Sequence, residues 1–317
     1  MWWIIGGIVV LLIAFIAFSI HPSSLYKFVL DTKSFVYMPA IAEKGLKTDL
    51  LPIDITGYTG DNSVGAWFNS KATSHYLEVD GLRLHAYELK HKEDVRDYIV
   101  LCHGYGFGAE MMRNFALKLY DLGYNILLPE ARAHGKSEGR YIGMGWIERY
   151  DVIKWIEYLI DDNNPSNIGL FGVSMGASTA LNVTGEKIPD VVKACVADCG
   201  YTSVSSEFEE QLKQLFKLPK EPFLTMASKI NEEYLGFEFD EADTVAQVQK
   251  SSTPTLFIHG DMDKFVPFEM LDILYDNANC EKEKLVVHGA IHGMSSDVEP
   301  ELYWNKVSDF YRKHFTR

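Results

Sequence analysis

Cysteine is scarce in this chain. Only Cys102, Cys195, Cys199 and Cys280 occur in 317 residues, and no two of them form a C-x-x-C pair. That excludes a disulfide framework and a paired-cysteine zinc site. Three of the four lie in or beside apolar strand-like runs, where cysteine serves as a small core residue. Basic residues are also in deficit: 30 Lys and Arg against 44 Asp and Glu give a formal net charge of -14. A surface field of that sign repels phosphate backbones and anionic lipid headgroups, so no nucleic acid partner is expected.

Charge is missing altogether from one stretch, Trp2 to Ile20, which holds only apolar and small residues. As a helix it would span roughly 28 Å, close to the hydrocarbon thickness of a bilayer. The reading is a single-pass transmembrane anchor over residues 1–21, with the membrane as a partner. A cleaved signal peptide competes, because Ala17-Phe18-Ser19 has the small-x-small form, but no basic n-region precedes the run. Lys27 and Lys33 follow it, a bias that leans towards a cytoplasmic domain. With 47% hydrophobic residues the chain can build one large domain with a substantial core.

Residues 22–75 mix polarities with scattered Gly and Pro and read as a connecting arm packed on a domain at 76–317. Tyr76 to Val79 and Leu82 to Leu89 flank Asp80-Gly81, a strong hairpin signal. Apolar strand-like runs follow at Tyr98 to Cys102, Tyr124 to Leu128, Ile168 to Phe171, Val192 to Ala197, Thr255 to Ile258 and Lys284 to Val287. Helical patterns separate most of them, which predicts an α/β fold with a mostly parallel sheet covered on both faces. Trp146, Tyr150, Ile153, Ile156 and Ile160 recur at helical spacing, as do Tyr303, Val307 and Phe310 near Pro300 to His314. More than fifty residues separate the run ending near Asp198 from Thr255, broken by Pro219 and Pro222. An insertion that long is usually functional, and about 202–252 is expected to form a small helical cap over a site.

Gly172-Val173-Ser174-Met175-Gly176 directly follows the run Ile168 to Phe171. A G-x-S-x-G after a strand is a nucleophile elbow, in which a sharp turn lifts the serine hydroxyl clear of the sheet. Glycine on both sides permits close passage of neighbouring strands. By composition such a match arises about one time in ten at roughly 7% glycine, so its partners decide its value. His259-Gly260-Asp261-Met262-Asp263-Lys264-Phe265-Val266-Pro267 comes later, and His288-Gly289-Ala290-Ile291-His292-Gly293 after that. Ser, Asp, His in this chain order, each in a loop after a strand, form a nucleophilic constellation. Ser174 is the candidate nucleophile, His292 the base, and Asp263 the acid that holds the imidazole. Asp261 and Asp198 compete with Asp263, and His288 with His292.

The elbow, the H-G-x-x-D-x-x-V-P segment and the late H-G resemble the α/β-hydrolase superfamily. So do Leu101-Cys102-His103-Gly104-Tyr105-Gly106 and Arg132-Ala133-His134-Gly135-Lys136-Ser137-Glu138-Gly139. The resemblance runs from about Tyr76 to the C-terminus. It implies an α/β-hydrolase fold with an N-terminal β-hairpin and cap, and an oxyanion held by the backbone N–H groups of Tyr105 and Met175. It further implies a serine hydrolase acting on a small-molecule ester or acyl substrate through an acyl-enzyme, without cofactor or metal. Tyr141-Ile142-Gly143-Met144-Gly145-Trp146 with Asp198-Cys199-Gly200-Tyr201 is similar to a bacterial subgroup of membrane-anchored hydrolases, which implies an extracytoplasmic domain against the lysine bias. Ala133 departs from the pattern, which has glycine there; the departure should touch that turn and not the chemistry.

Other readings remain. A peptidase or an acyltransferase would use the same residues, and a membrane-tethered binding module would use none. Gly104-Tyr105-Gly106-Phe107-Gly108-Ala109 with Glu130 after the next strand fits a dinucleotide site of an oxidoreductase, but leaves the elbow, Asp263 and His292 unexplained. Gly135-Lys136-Ser137 ends like a phosphate loop, yet Glu130 stands where its first glycine must be. His288 and His292 have the helical spacing of a metal pair, but Gly289 and Gly293 argue against a helix. His103, His134 and His259 are read as hydrogen-bonding residues that fix their turns.

Overall fold

Asp80 and Gly81 both adopt positive φ, 52° and 75°, the conformation that matches a two-residue turn to strand twist. They join β1 (Thr73–Val79) to β2 (Leu82–Leu89) in register, Val79 opposite Leu82. The computed structural model describes residues 22–34, 62–91, 94–106 and 108–315. The hairpin joins through β2 to β4 (Asn125–Glu130), antiparallel. Parallel strands then follow: β3 (Asp97–Cys102), β5 (Asn167–Val173), β6 (Val192–Asp198), β7 (Thr255–Gly260) and β8 (Lys282–Val287). The sheet has eight strands in the order β1-β2-β4-β3-β5-β6-β7-β8. This is the α/β-hydrolase fold.

Alternation along the strands sorts the core into two layers. Ile99 and Leu101 of β3 face one side with Phe171 and Val196, under α2 (Asn62–Lys71), α3 (Arg113–Asp121) and the final helix, Pro300–His314. Val100 faces the other with Leu170 and Cys195, under α4 (Glu148–Asn163), α5 (Met175–Thr184), α8 (Thr244–Lys250) and α9 (Glu269–Asn277). Both faces are covered, which is why the parallel strands read as continuous apolar runs.

A third apolar cluster lies off the sheet. It joins α1 (Pro22–Leu30), α6 (Val204–Gln211) and α7 (Phe223–Leu235) with Met144, Met175 and Tyr201. α6 and α7 fall in the range expected to form the cap. The two segments that resembled the hydrolase subgroup meet in this cluster: the Tyr201 hydroxyl donates to the Met144 carbonyl at 2.6 Å. α8, within the expected cap range, packs instead on a sheet face, with Val248 among the side chains of α5.

The helical spacing of Trp146, Tyr150, Ile153, Ile156 and Ile160 corresponds to α4, with Ile156 buried, Ile153 and Ile160 packed against the core and Tyr150 48% exposed. The buried face of α4 also carries acids. Glu148 accepts the N–H groups of Gly143 and Gly145 at 2.7 and 2.9 Å, and Asp151 pairs with Arg132 at 2.7 and 2.6 Å. One expectation is corrected, that of the membrane. Among the described residues no helix is long and apolar enough to cross a bilayer, so the transmembrane anchor and the membrane location drawn from it are withdrawn. The stretch on which they rested, residues 1–21, lies outside the described residues.

Ala133 holds φ at 64°, and its N–H donates to the Glu138 carbonyl at 3.0 Å. Left-handed backbone costs an alanine about 1–2 kcal/mol, while glycine loses only part of that advantage through its freer unfolded chain. Ala133→Gly is therefore expected to stabilise the protein by about 0.5–1 kcal/mol. Urea denaturation measures it, and a loss of stability would refute strain at this turn.

Candidate active site

Ser174 has φ 59° and ψ −123° between β5 and α5, a conformation that side chains rarely adopt. Its neighbours hold it there. A methyl group on Gly172 would overlap the carbonyl of Gly176, and one on Gly176 would overlap that of Cys102 at the end of β3. The Ser174 N–H donates to the Asp198 carbonyl at 2.8 Å, so the turn is tied to β6 as well. Chain connections leave β3 towards β4 on one side and β5 towards β6 on the other. Such a divergence is where open α/β sheets place ligands, outside the carboxyl ends of the strands.

Three other loops reach this edge. His292, after β8, sets Nε2 2.8 Å from Ser174 Oγ and Nδ1 2.7 Å from Asp263 Oδ2. With Nδ1–H facing a carboxylate, Nε2 is left to accept the serine proton. Asp263, after β7, accepts the Phe265 and Val266 N–H groups on Oδ1 at 2.9 and 3.0 Å. His259 Nε2 lies 3.2 Å from Asp263 Oδ2 and 3.0 Å from the Val266 carbonyl, so the loop that carries the acid is clamped at both ends. Burial alone would raise the Asp263 carboxyl, but the charge of His292 and hydrogen bonds from His259 and His292 outweigh it and hold it down at about 2.

The rivals are engaged elsewhere. Asp261 pairs with His288 Nδ1 at 2.7 Å and accepts the Gly289 N–H at 2.7 Å, closing the outer ends of two loops. Asp198 is fully buried and accepts from Tyr303 Oη at 2.8 Å and Ser295 Oγ at 3.3 Å. Burial pushes its carboxyl up, against the opposing pull of Tyr303 and of His259 and His292.

Tyr105 follows β3, and the loop that carries it runs beside the elbow: a Cβ on Gly104 would stand 3.7 Å from Ser174 Cβ. Two buried histidines shape this loop. His103 Nδ1 meets the Gly104 carbonyl at 2.7 Å while Nε2 accepts the Ala131 N–H at 2.9 Å. His134 Nδ1 meets the Arg132 carbonyl at 3.0 Å while Nε2 accepts the Gly106 N–H at 3.1 Å. Burial, with His103 adding to it, drives His134 down to about 3, and burial lowers His103 too, so both rings are neutral. Met175 opens α5, where the first N–H groups have no acceptor within the helix and favour negative charge.

The cofactor alternatives lose their key groups. Glu130, the acid of a dinucleotide site, is buried and holds His85 Nδ1 at 2.9 Å, the Lys136 N–H at 2.6 Å and the Ala109 N–H at 3.3 Å. Residues 288–292 are not helical. Among the described residues one group has metal-ligand spacing: Cys199 Sγ, an Asp263 oxygen and a His292 nitrogen, within 4.8 Å of one another. Both His292 nitrogens already have partners and burial drives the Cys199 thiol well up, so these donors do not fit a cation.

Sequence reasoning missed two contributions. Gln211 of α6 donates to the Phe265 carbonyl at 2.7 Å and to Glu207 Oε1 at 2.8 Å, which ties the cap to the acid loop. α1 reaches the same region, for the Tyr105 hydroxyl donates to the Val29 carbonyl. No local motif marks either, since both contacts join segments far apart in the chain.

The family model for the alpha/beta hydrolase fold matches residues 97–233. Among curated proteins, the uncharacterized protein YqkD of Bacillus subtilis (strain 168) is 28% identical over 218 residues, which cover 68% of this chain and 72% of that one. Esterase YjfP of Escherichia coli (strain K12) is 24% identical over 249 residues, 73% of this chain and 94% of the relative. An esterase of Pyrococcus furiosus superposes with a TM-score of 0.64 at 24% identity, over 78% of this chain and 92% of the other. The class is thus the α/β-hydrolase fold, with esterases among its neighbours.

Glu207 gives a test of this region. It is fully buried, and its carboxyl is pushed up to about 8 by burial, with Asp263 and Glu210 adding repulsion and Gln211 opposing. An unfolded glutamate ionises near 4.3. The folded state therefore keeps a proton that the unfolded state releases, and stability falls as pH rises from about 4.5 to about 8. Glu207→Gln should flatten the stability profile by up to about 1.4 kcal/mol per pH unit in that window. Urea melts across the range read it, and an unchanged slope would refute a protonated Glu207.

Proposed function

We propose that this protein is a serine hydrolase acting on carboxylic esters through an acyl-enzyme. The reading rests on the hydrogen-bonded line Ser174–His292–Asp263 at the carboxyl edge of the sheet. Ser174 Oγ attacks the acyl carbon as His292 Nε2 takes its proton. Asp263, ionised and clamped, keeps the imidazole in the tautomer that can accept it and stabilises the imidazolium that forms. The oxyanion is received by the N–H groups of Met175 and Tyr105, and His103 and His134 act by holding the Tyr105 loop. His292 then gives its proton to the departing alcohol, and water attacks the acyl-enzyme by the same route in reverse. Backbone donors set before the reaction need no reorganisation, and each contributes about 3 kcal/mol to the transition state.

A fluorophosphonate probe should label the purified protein and spare Ser174→Ala; equal labelling of both would overturn the reading. Asp263→Asn should keep the fold and lower kcat for an activated ester by about 10⁴-fold. Steady-state kinetics of Asp263→Asn beside Asp261→Asn provide the check, with the latter expected near wild type. The reverse ranking would move the acid to Asp261.

A further inference from the structure

Helix α1 does not pack on the sheet. Its Leu25, Tyr26 and Leu30 are buried against the cap. Several polar ties fix its position. Tyr26 Oη donates to Asn231 Oδ1 of α7 at 3.2 Å. The Ile142 N–H donates to the Leu30 carbonyl at 3.0 Å, and the following Asp31 holds the Arg140 guanidinium through two bonds of 2.9 Å. Between α1 and the cap a cavity of about 60 Å³ remains, walled by Leu25 and Val29 of α1 and by Phe208, Phe216 and Phe223 of the cap among others. Phe28 meets Phe216 edge-on at 6.2 Å on the same side. A lining this apolar suits apolar groups.

Two of the cavity's wall residues touch residues of the candidate active site, and Met175, Tyr105 and Phe265 belong to the same apolar cluster as the walls. Val29 lines it, and the Val29 carbonyl accepts the hydroxyl of Tyr105, whose N–H belongs to the proposed oxyanion site. Gln211 lines it as well and holds the Phe265 carbonyl, while the Phe265 ring lies 4.9 Å from that of His292. The apolar space thus lies one residue beyond Tyr105 on one side and one residue beyond Phe265 on the other. We infer that α1 is a wall of the acyl-binding pocket, so that Val29 and Leu25, ahead of the hydrolase domain, select for an apolar aliphatic acyl chain. The inference rests on the ester-hydrolase reading and deepens it. Chain length is then set by the distance between α1 and Phe216, two segments that share no part of the catalytic line.

The full chain, Val29→Trp and Phe216→Ala are assayed with the p-nitrophenyl esters of acetate, butyrate, octanoate and laurate. Val29→Trp fills the cavity and keeps the backbone carbonyl that Tyr105 uses. It should lower kcat/KM for octanoate by about tenfold or more relative to that for acetate, the discrimination that a few methylenes supply. Acetate turnover also reports that the variant is folded. Phe216→Ala should move the preference towards laurate. Equal loss on every ester, or unchanged octanoate turnover in Val29→Trp, overturns the pocket. A second readout does not need turnover: octanoate, the acid product, should raise the melting temperature of wild type and not of Val29→Trp. If wild type turns over no ester, the ester-hydrolase reading fails. The melting shift then decides the pocket separately, and no shift, or the same shift in both proteins, overturns it.

Discussion

The first turn of α5 presses so closely on the end of β3 that Gly176 has no room for a methyl group beside the Cys102 carbonyl. Much else depends on that contact. It brings the start of a helix, with its unsatisfied N–H groups, against the loop that carries Tyr105, and it holds Ser174 in a backbone conformation that an isolated chain would leave. Gly172 completes the constraint from within the elbow. The strain persists because two strands and a helix determine it together. A serine in a relaxed turn could not stand at the point where the chain connections diverge.

Around this elbow the protein buries acids rather than excluding them. Glu130, Glu148, Asp151 and Asp198 all lie inside, each satisfied by backbone N–H groups, hydroxyls or a cation. Buried polar groups are tolerated when their partners are fixed, and here the partners are the loops at the carboxyl edge. Glu130 holds the turns near Ala109 and Lys136, Glu148 holds the Gly143 turn, and Asp198 braces the segment after His292 through Ser295 and Tyr303. Loops held in this way keep donors and acceptors at set distances without movement, which is what a reaction with developing charge needs.

Much of the fold was legible in the chain. The Asp80-Gly81 turn, the six apolar runs of the parallel strands and the final helix from Pro300 to His314 follow from turn chemistry and from burial on two faces. α4 was legible as a helix, but its buried face was not. Its inward face mixes Val152, Trp155, Ile156 and Leu159 with Glu148, Arg149 and Asp151, and apolar spacing cannot show that buried polar share. The arm offered only short helical possibilities, and α1 is one of them, its place set by the cap it packs against. The apolar run at residues 1–21 shows the opposite hazard, a clear signal with no membrane-spanning helix among the described residues to match it.

For the candidate site, sequence alone determined the residue types and their order: a serine between two glycines, then acids, then histidines, each after an apolar run. Order was readable because every parallel strand delivers its loop to the same edge. The preference for Asp263 and His292 over Asp261 and His288 was legible in the motifs, whereas the way each side chain is turned was decided only by the tertiary structure. Asp261 and Asp263 differ by two positions in one loop, and the clamp of His259, Phe265 and Val266 turns one towards His292 while His288 draws the other outward. Hydrogen bonds between loops distant in the chain make that choice, and no local spacing encodes them.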